Sequence, residues 1–425
     1  MELGKNALNS ARTINNSQYA STLKPSEEQS GRAGKIIDIA NQRQAQRIWA
    51  GINLDALDEN LKTVKQQLKG KKILLAIKAD AYGHGAKEIA AHLDGKVDMF
   101  GVAGVEEGIN LRANSGIRSP ILILSPIPYS GIEALFTYNL TPSITEKEFA
   151  RVLALAAKQH QTPIKVHIEV DTGMGRTGLP FEEAVAAITK INSDPYLKVE
   201  GVFTHFPAAD RDFLFSHQQI DKYKSLTESL AQAQVKPIIR HTANSAGFLN
   251  FTESYFDMIR PGLIVYGINP NHATNQTLPL KPVMSLRTRV VNLHKIPKGN
   301  SISYERTYFT QRDSLIAVIT AGYGDGYPWS LSNTGEVIIS GRRAKIVGNV
   351  CMDLTMIDVT DIGEVKIGDI VTLIGSAGDE TITVNELAKW AKTIPYEIIT
   401  RISPRVPRVF IKEGKVQKVR DLLSL

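Results

Sequence analysis

The sequence predicts an α/β protein, a (β/α)8 barrel of the TIM type followed by a C-terminal mainly-β domain, on three observations. First, eight apolar or β-branched runs recur near residues 72–78, 99–103, 120–125, 140–144, 164–170, 199–204, 238–242 and 256–260. Second, most are separated by segments of helical spacing, such as Phe149, Val152, Leu153 and Ala156, or Ala184, Val185, Ile188 and Ile191. Strands alternating with helices pair in parallel, and eight such units over about 200 residues close into a barrel. Third, after residue 280 the texture changes to strand-like segments at short spacing: 288–293, 315–320, 336–339, 345–347, 355–358 and 370–374. A short helix over 386–391 falls near the end of this part.

The expected division is a polar N-terminal extension over 1–46, a ligand-binding barrel over 47–280 and a β domain over 281–425. The extension is rich in Asn, Ser and Gln and lacks the apolar core of a signal peptide, so a cytoplasmic protein is expected, or a periplasmic one whose signal has been removed. No window approaches the ~18 apolar residues of a membrane span, so no membrane partner is expected. Hydrophobic residues make up 43% of the chain, enough for ordinary cores. The single cysteine, Cys351, excludes an intrachain disulfide and a multi-cysteine metal site, and no metal is expected. The net charge of +7 is spread without a basic block, which argues against nucleic acid. A few of these cations suit an anionic cofactor and a carboxylate substrate.

The run that opens the barrel ends at Lys78, followed by Ala79-Asp80-Ala81-Tyr82-Gly83-His84-Gly85. The C-terminal ends of barrel strands are where such folds build active sites. Taken alone, a lysine at a strand end reaching solvent is the commoner outcome. Burial beside apolar neighbours would instead lower the amine pKa and make a neutral nucleophile for an aldehyde, as in a Schiff base. Phosphate sites commonly follow barrel strands seven and eight, where Asn244-Ser245 and Gly262-Leu263 fall. A serine there is normally only a cap. The paired location, with a glycine that permits close backbone approach, points to a phosphate.

The segment Ile77 to Gly85 resembles the cofactor-lysine motif of the alanine racemase family, whose members bind pyridoxal 5'-phosphate (PLP) on a barrel of the third PLP fold type. Glu169-Val170-Asp171-Thr172-Gly173-Met174-Gly175-Arg176, Thr204-His205-Phe206, His241-Thr242-Ala243-Asn244-Ser245, Arg260-Pro261-Gly262 and Ser303-Tyr304 continue the resemblance in the family's order. Gly322-Tyr323, Cys351-Met352-Asp353, Pro395-Tyr396-Glu397 and Arg405-Val406-Pro407-Arg408 complete it, from about Trp49 to about Val409.

The resemblance implies a homodimer that interconverts L- and D-alanine for peptidoglycan. Racemisation needs a base on each face of the planar Schiff base between substrate and cofactor, and the implied pair is Lys78 and the partner subunit's Tyr304. His205 is expected to hydrogen-bond near that tyrosine, and Tyr82 and Tyr396 to add hydroxyls at the phosphate. Arg260 corresponds to the arginine facing the pyridine nitrogen; a guanidinium only donates, so the cofactor is kept a weaker electron sink. Arg176 and the amide of Met352 are expected to hold the substrate carboxylate, and Tyr323 to narrow the entrance.

The chain departs from the family at several positions. Relatives carry a carbamylated lysine seven residues before the arginine matching Arg176; here Glu169 supplies a carboxylate directly and is expected to orient Arg176. Glu305 follows the catalytic tyrosine where a glycine is usual, and Asn349 and Trp329 stand at outer-entrance positions often basic in relatives. Asp210 keeps the family's acidic residue. A less cationic entrance allows a broader racemase acting on serine, lysine or arginine. A PLP-dependent decarboxylase pairs the pyridine nitrogen with a carboxylate, which Arg260 disfavours, and a PLP carrier ends after the barrel.

Overall fold

In the computed structural model, which describes residues 46–235, 239–270 and 278–422, the eight apolar runs are eight strands. They are Lys72–Ala76, Met99–Val102, Ile121–Ile123, Thr141–Ile144, Ile164–Asp171, Leu197–Phe203, Ile239–His241 and Met258–Ile259. Neighbours pair in parallel, as Leu74 with Met99 and Ile168 with Val202. The eighth strand pairs with the first through Met258 and Lys72. The seventh meets the eighth through Asp257 N–H to Arg240 O at 3.0 Å and Arg260 N–H to Ala243 O at 2.8 Å, so the barrel closes. Apart from Gln46, the polar extension lies outside the described residues.

Side chains alternate across this sheet as a period of two requires. Leu74, Met99, Leu122, Ile239 and Met258 form one small buried cluster, whereas Ile73 and Leu75 join the larger core shared with the helices. Full burial of each such side chain contributes roughly 1.5–3 kcal/mol. Helix Lys147–Gln159 buries Phe149, Ala150, Leu153 and Ala157, and helix Phe181–Asn192 buries Ala184, Ala187, Ile188 and Ile191. Helix Leu54–Gln67 begins where the Asn53 carboxamide oxygen accepts from the amides of Asp55 and Ala56, and Phe213–Gln232 where Asp212 accepts from Phe215 N–H.

The β-rich part is built on the long strand Met284–Ile296, which pairs with both Ser314–Ile319 and Ile370–Ala377. Thr355–Asp358, Arg342–Ile346 and Glu336–Ile339 complete a ring of six strands. The same sheet runs on through Ile48–Asn53, Arg408–Lys412 and Lys415–Arg420. Ile48–Asn53 lies antiparallel to Met284–Ile296, with Ile48 opposite Thr288, and parallel to Arg408–Lys412, with Ala50 opposite Arg408. The segment that the sequence division gives to the start of the barrel thus belongs by its hydrogen bonds to the β-rich sheet. Buried on both sides, it carries no sequence mark of which sheet it joins.

Candidate active site

Lys78 follows the first barrel strand, and the chain after it turns the wrong way for L-residues. Ala79, Asp80, Ala81 and Tyr82 all have φ between 51° and 55°, a left-handed turn that costs roughly 1–2 kcal/mol per residue. Hydrogen bonds hold it from several sides. Glu107 accepts Ala79 N–H at 2.6 Å through one carboxylate oxygen and Ala103 N–H at 2.7 Å through the other. Asp80 accepts Ala86 N–H at 2.8 Å and pairs with Arg420, and the buried Arg408 donates to Gly83 O at 3.1 Å. Gly83 cannot be replaced: its φ is 78°, and a Cβ would lie 2.1 Å from Ile399 O. This turn lays Tyr82 along the site instead of letting a helix carry it away.

Lys78 lines a cavity of about 500 Å³ at the C-terminal ends of the strands, within the usual range for small-ligand sites. Burial, followed by the charge of Arg176, pulls its amine below the 10.5 of an ordinary lysine. At one end of the cavity Ser245 Oγ accepts Gly262 N–H at 3.0 Å, beside Asn244 and Leu263. A Cβ at Gly262 would stand 2.6 Å from Tyr82 Oη, so that hydroxyl reaches the backbone only over a glycine. The rings of Tyr82 and Tyr396 lie 5.9 Å apart. Burial raises both phenols, Tyr396 to about 12 with help from the charge of Asp210, so each remains a donor at neutral pH.

Arg260 is buried, and its terminal nitrogens are fully used. Nη1 donates to His241 O at 2.8 Å and His241 Nδ1 at 3.0 Å; Nη2 donates to Thr204 O at 2.7 Å, Thr242 O at 3.1 Å and His205 Nδ1 at 3.1 Å. Desolvation lowers its pKa to about 10, so it stays charged at neutral pH. Since arginine only donates, Nδ1 of both histidines is an acceptor. Burial and then Arg260 hold both imidazoles well below the usual histidine range, so they are neutral with the proton on Nε2.

Glu169 and Arg176 also line the cavity. Glu169 Oε2 accepts from Thr177 Oγ1 at 2.8 Å, and Oε1 lies 4.0 Å from Arg176 Nη2. Desolvation raises the Glu169 pKa, against the pull of Thr177, Arg260 and Arg176. Sequence reading missed Leu124, Ser125, Pro126, Thr177, Phe203 and Thr400 in the lining, and the support from Glu107. Thr177 directly follows the arginine motif and was the one with a visible signal.

Family models describe the chain in two parts: residues 52–270 match the alanine racemase N-terminal domain and residues 283–410 its C-terminal domain. The chain belongs to the alanine racemase family. The alanine racemase of Halothermothrix orenii is 43% identical over 373 residues, 87% of this chain and 98% of that protein. That of Clostridium novyi is 42% identical over 381 residues, 88% of this chain and 98% of that protein. Among solved structures, the alanine racemase of Clostridium difficile 630 superposes with a TM-score of 0.84 at 34% identity, covering 89% of this chain and 99% of that one. The Bacillus anthracis alanine racemase with bound L-Ala-P gives 0.82 at 36% identity, covering 89% and 98%.

Eleven of the expected site residues of an alanine racemase line the one cavity: Lys78, Tyr82, Glu169, Arg176, His205, Asn244, Ser245, Arg260, Gly262, Leu263 and Tyr396. Tyr304, Met352 and Tyr323 do not line it within a single chain; they are 70%, 53% and 44% exposed. Tyr304 sits in a turn where Ser303, Glu305 and Arg306 all have positive φ. Asn349, expected at the outer entrance, lies beside the turn that carries Tyr304. It is buried, its amide donates to Tyr304 O at 3.1 Å, and its oxygen accepts from Thr307 Oγ1 at 3.0 Å, so it braces the tyrosine's turn. Trp329 is exposed.

Proposed function

We propose that this protein is a homodimeric alanine racemase that holds PLP in the Lys78 cavity and interconverts L- and D-alanine. The observation that carries the reading is the meeting of Lys78, of lowered pKa, with two guanidinium groups in one cavity of ligand size. The lining also fits the cofactor: the Gly262 cradle with Ser245 and two protonated phenols suits a phosphate, and Arg260 Nε–H is the donor its other bonds leave for a ring nitrogen. When bound, PLP supplies an aldehyde for the amino group and a conjugated ring that accepts the electrons left by the α-proton.

The remaining work falls to the chain. Lys78 Nζ takes or returns a proton on one face, and its lowered pKa makes the neutral amine available nearer to neutral pH. The exposed Tyr304 of a second subunit would supply the base for the other face. The Nε2–H of His205, also in the lining, is then a donor to that phenolate. Arg176 is the fork for the substrate carboxylate, with Glu169 behind it. Arg260 keeps its charge and only donates, so it would hold a ring nitrogen by a hydrogen bond without stabilising a proton on it.

Among the described residues no helix is long and apolar enough to cross a membrane. The reading places the protein in the cytoplasm, supplying D-alanine for peptidoglycan. Incubating the purified protein with a panel of L-amino acids, and following both optical rotation and carbon dioxide, tests it. Loss of rotation with D-alanine formed is expected. Carbon dioxide release would instead identify a decarboxylase, and an inert protein would leave only a carrier.

A further inference from the structure

A line of buried polar groups runs from Arg260 through the barrel interior. Arg260 Nη1 lies 3.0 Å from His241 Nδ1, and His241 Nε2 lies 2.8 Å from His167 Nδ1. His167 Nε2 faces Glu200 Oε2 at 3.5 Å, an ion-pair separation longer than a good hydrogen bond, and Glu200 Oε1 accepts from Lys165 Nζ at 2.6 Å. Both imidazoles are completely buried. The barrel makes room for them: a Cβ at Gly201 would stand 2.4 Å from His167 Nδ1.

The two ends of the line fix its direction. Arginine can only donate and an ionised carboxylate can only accept. Two neutral imidazoles between them have one consistent arrangement, with each Nδ1 accepting and each Nε2 protonated; His241 Nε2–H donates to His167, and the His167 Nε2–H, which makes no hydrogen bond, is left facing the Glu200 carboxylate. Contacts with His167 and Lys165 hold Glu200 down at about 2, so it is ionised at any working pH, while burial keeps His167 below the usual histidine range.

We infer that Glu200, acting through His167, is a positioning residue of the active site: from the far end of the line it reinforces His241 as the Nδ1 acceptor that Arg260 requires. This rests on the proposed function, in which Arg260 serves the cofactor ring. Without an acceptor at position 200, His167 gains a second tautomer with Nδ1–H. His241 then has to place its own proton on Nδ1, against the Arg260 N–H.

Nitrogen-15 spectra of the histidine-labelled holoenzyme, read beside alanine kinetics, test this. The unaltered protein should show His241 and His167 protonated on Nε2 alone. Glu200→Gln retains an oxygen acceptor and should keep both that pattern and kcat within about threefold. Glu200→Leu should mix the tautomers and lower kcat about tenfold, the worth of one hydrogen bond to a charged group, with KM little changed. His241 Nδ1–H in the unaltered protein overturns the inference, as does Glu200→Leu with a single tautomer or wild-type kcat. If Glu200→Leu does not fold, the unaltered protein and Glu200→Gln decide it. Failure of the unaltered holoenzyme to racemise alanine would sink the proposed function, not the tautomer assignment.

Discussion

Replacing Glu169 by glutamine keeps its shape and removes its charge, the contact by which the chain is expected to dispense with a carbamylated lysine. At the observed 4.0 Å, a full charge pair with Arg176 would be worth about 4 kcal/mol at an effective dielectric of 20. Arg176 is 51% exposed, so solvent screens most of that, and about 1 kcal/mol is a fair expectation. The alanine KM should therefore rise about fivefold in Glu169→Gln, with cofactor affinity little changed. Folding should move the other way. A raised folded-state pKa means that the native state binds more protons than the unfolded one, so wild-type stability falls as pH rises from the unfolded carboxyl pKa through the folded one. Glutamine has no such loss, and Glu169→Gln should be the more stable protein at neutral pH but not at pH 3. Steady-state kinetics with urea melts at both pH values provide the assay. The reasoning is refuted by an unaltered KM, or by wild-type activity that climbs when bicarbonate is added.

Lys78→Ala should abolish racemisation and the absorbance of lysine-bound PLP, and wild-type activity would remove Lys78 from the mechanism. Gly262→Ala places a methyl group 2.6 Å from Tyr82 Oη and should weaken PLP binding at least tenfold by equilibrium dialysis. Glu305→Gly relieves a residue held at φ 61° and should raise unfolding free energy by about 0.5 kcal/mol after glycine's own entropic cost; a lower urea midpoint would contradict it. Asp210, whose charge reaches Tyr396, should favour cationic substrates, so lysine or arginine turnover should fall in Asp210→Asn, whereas inactivity of the wild type toward both would leave alanine specificity intact.

The barrel was legible because its strands are apolar runs ending at turn residues, and the cavity because its motifs sit at the strand ends. What the sequence hid depends on long-range pairing. Ile48–Asn53 reads like any buried strand, and only its partners near residues 285 and 408 assign it to the β-rich sheet. The left-handed turn after Lys78 has no glycine from Ala79 to Tyr82, so nothing local announces its positive φ values. His167 and Glu200 look like the solvent side of alternating strands, yet His167 is wholly buried against His241. The bond from Asn349 to the Tyr304 backbone likewise joins positions 45 residues apart in sequence, so no local pattern announces it.

The central claim is that Lys78 and Tyr304 from different subunits make one site. Mixing Lys78→Ala with Tyr304→Phe, each inactive, and allowing subunit exchange produces heterodimers in which one of two sites has both residues. If the site is shared, activity should return to about a quarter of the wild-type level under random exchange in a two-fold dimer. Exchange confirmed by mass spectrometry with no activity restored would contradict the account.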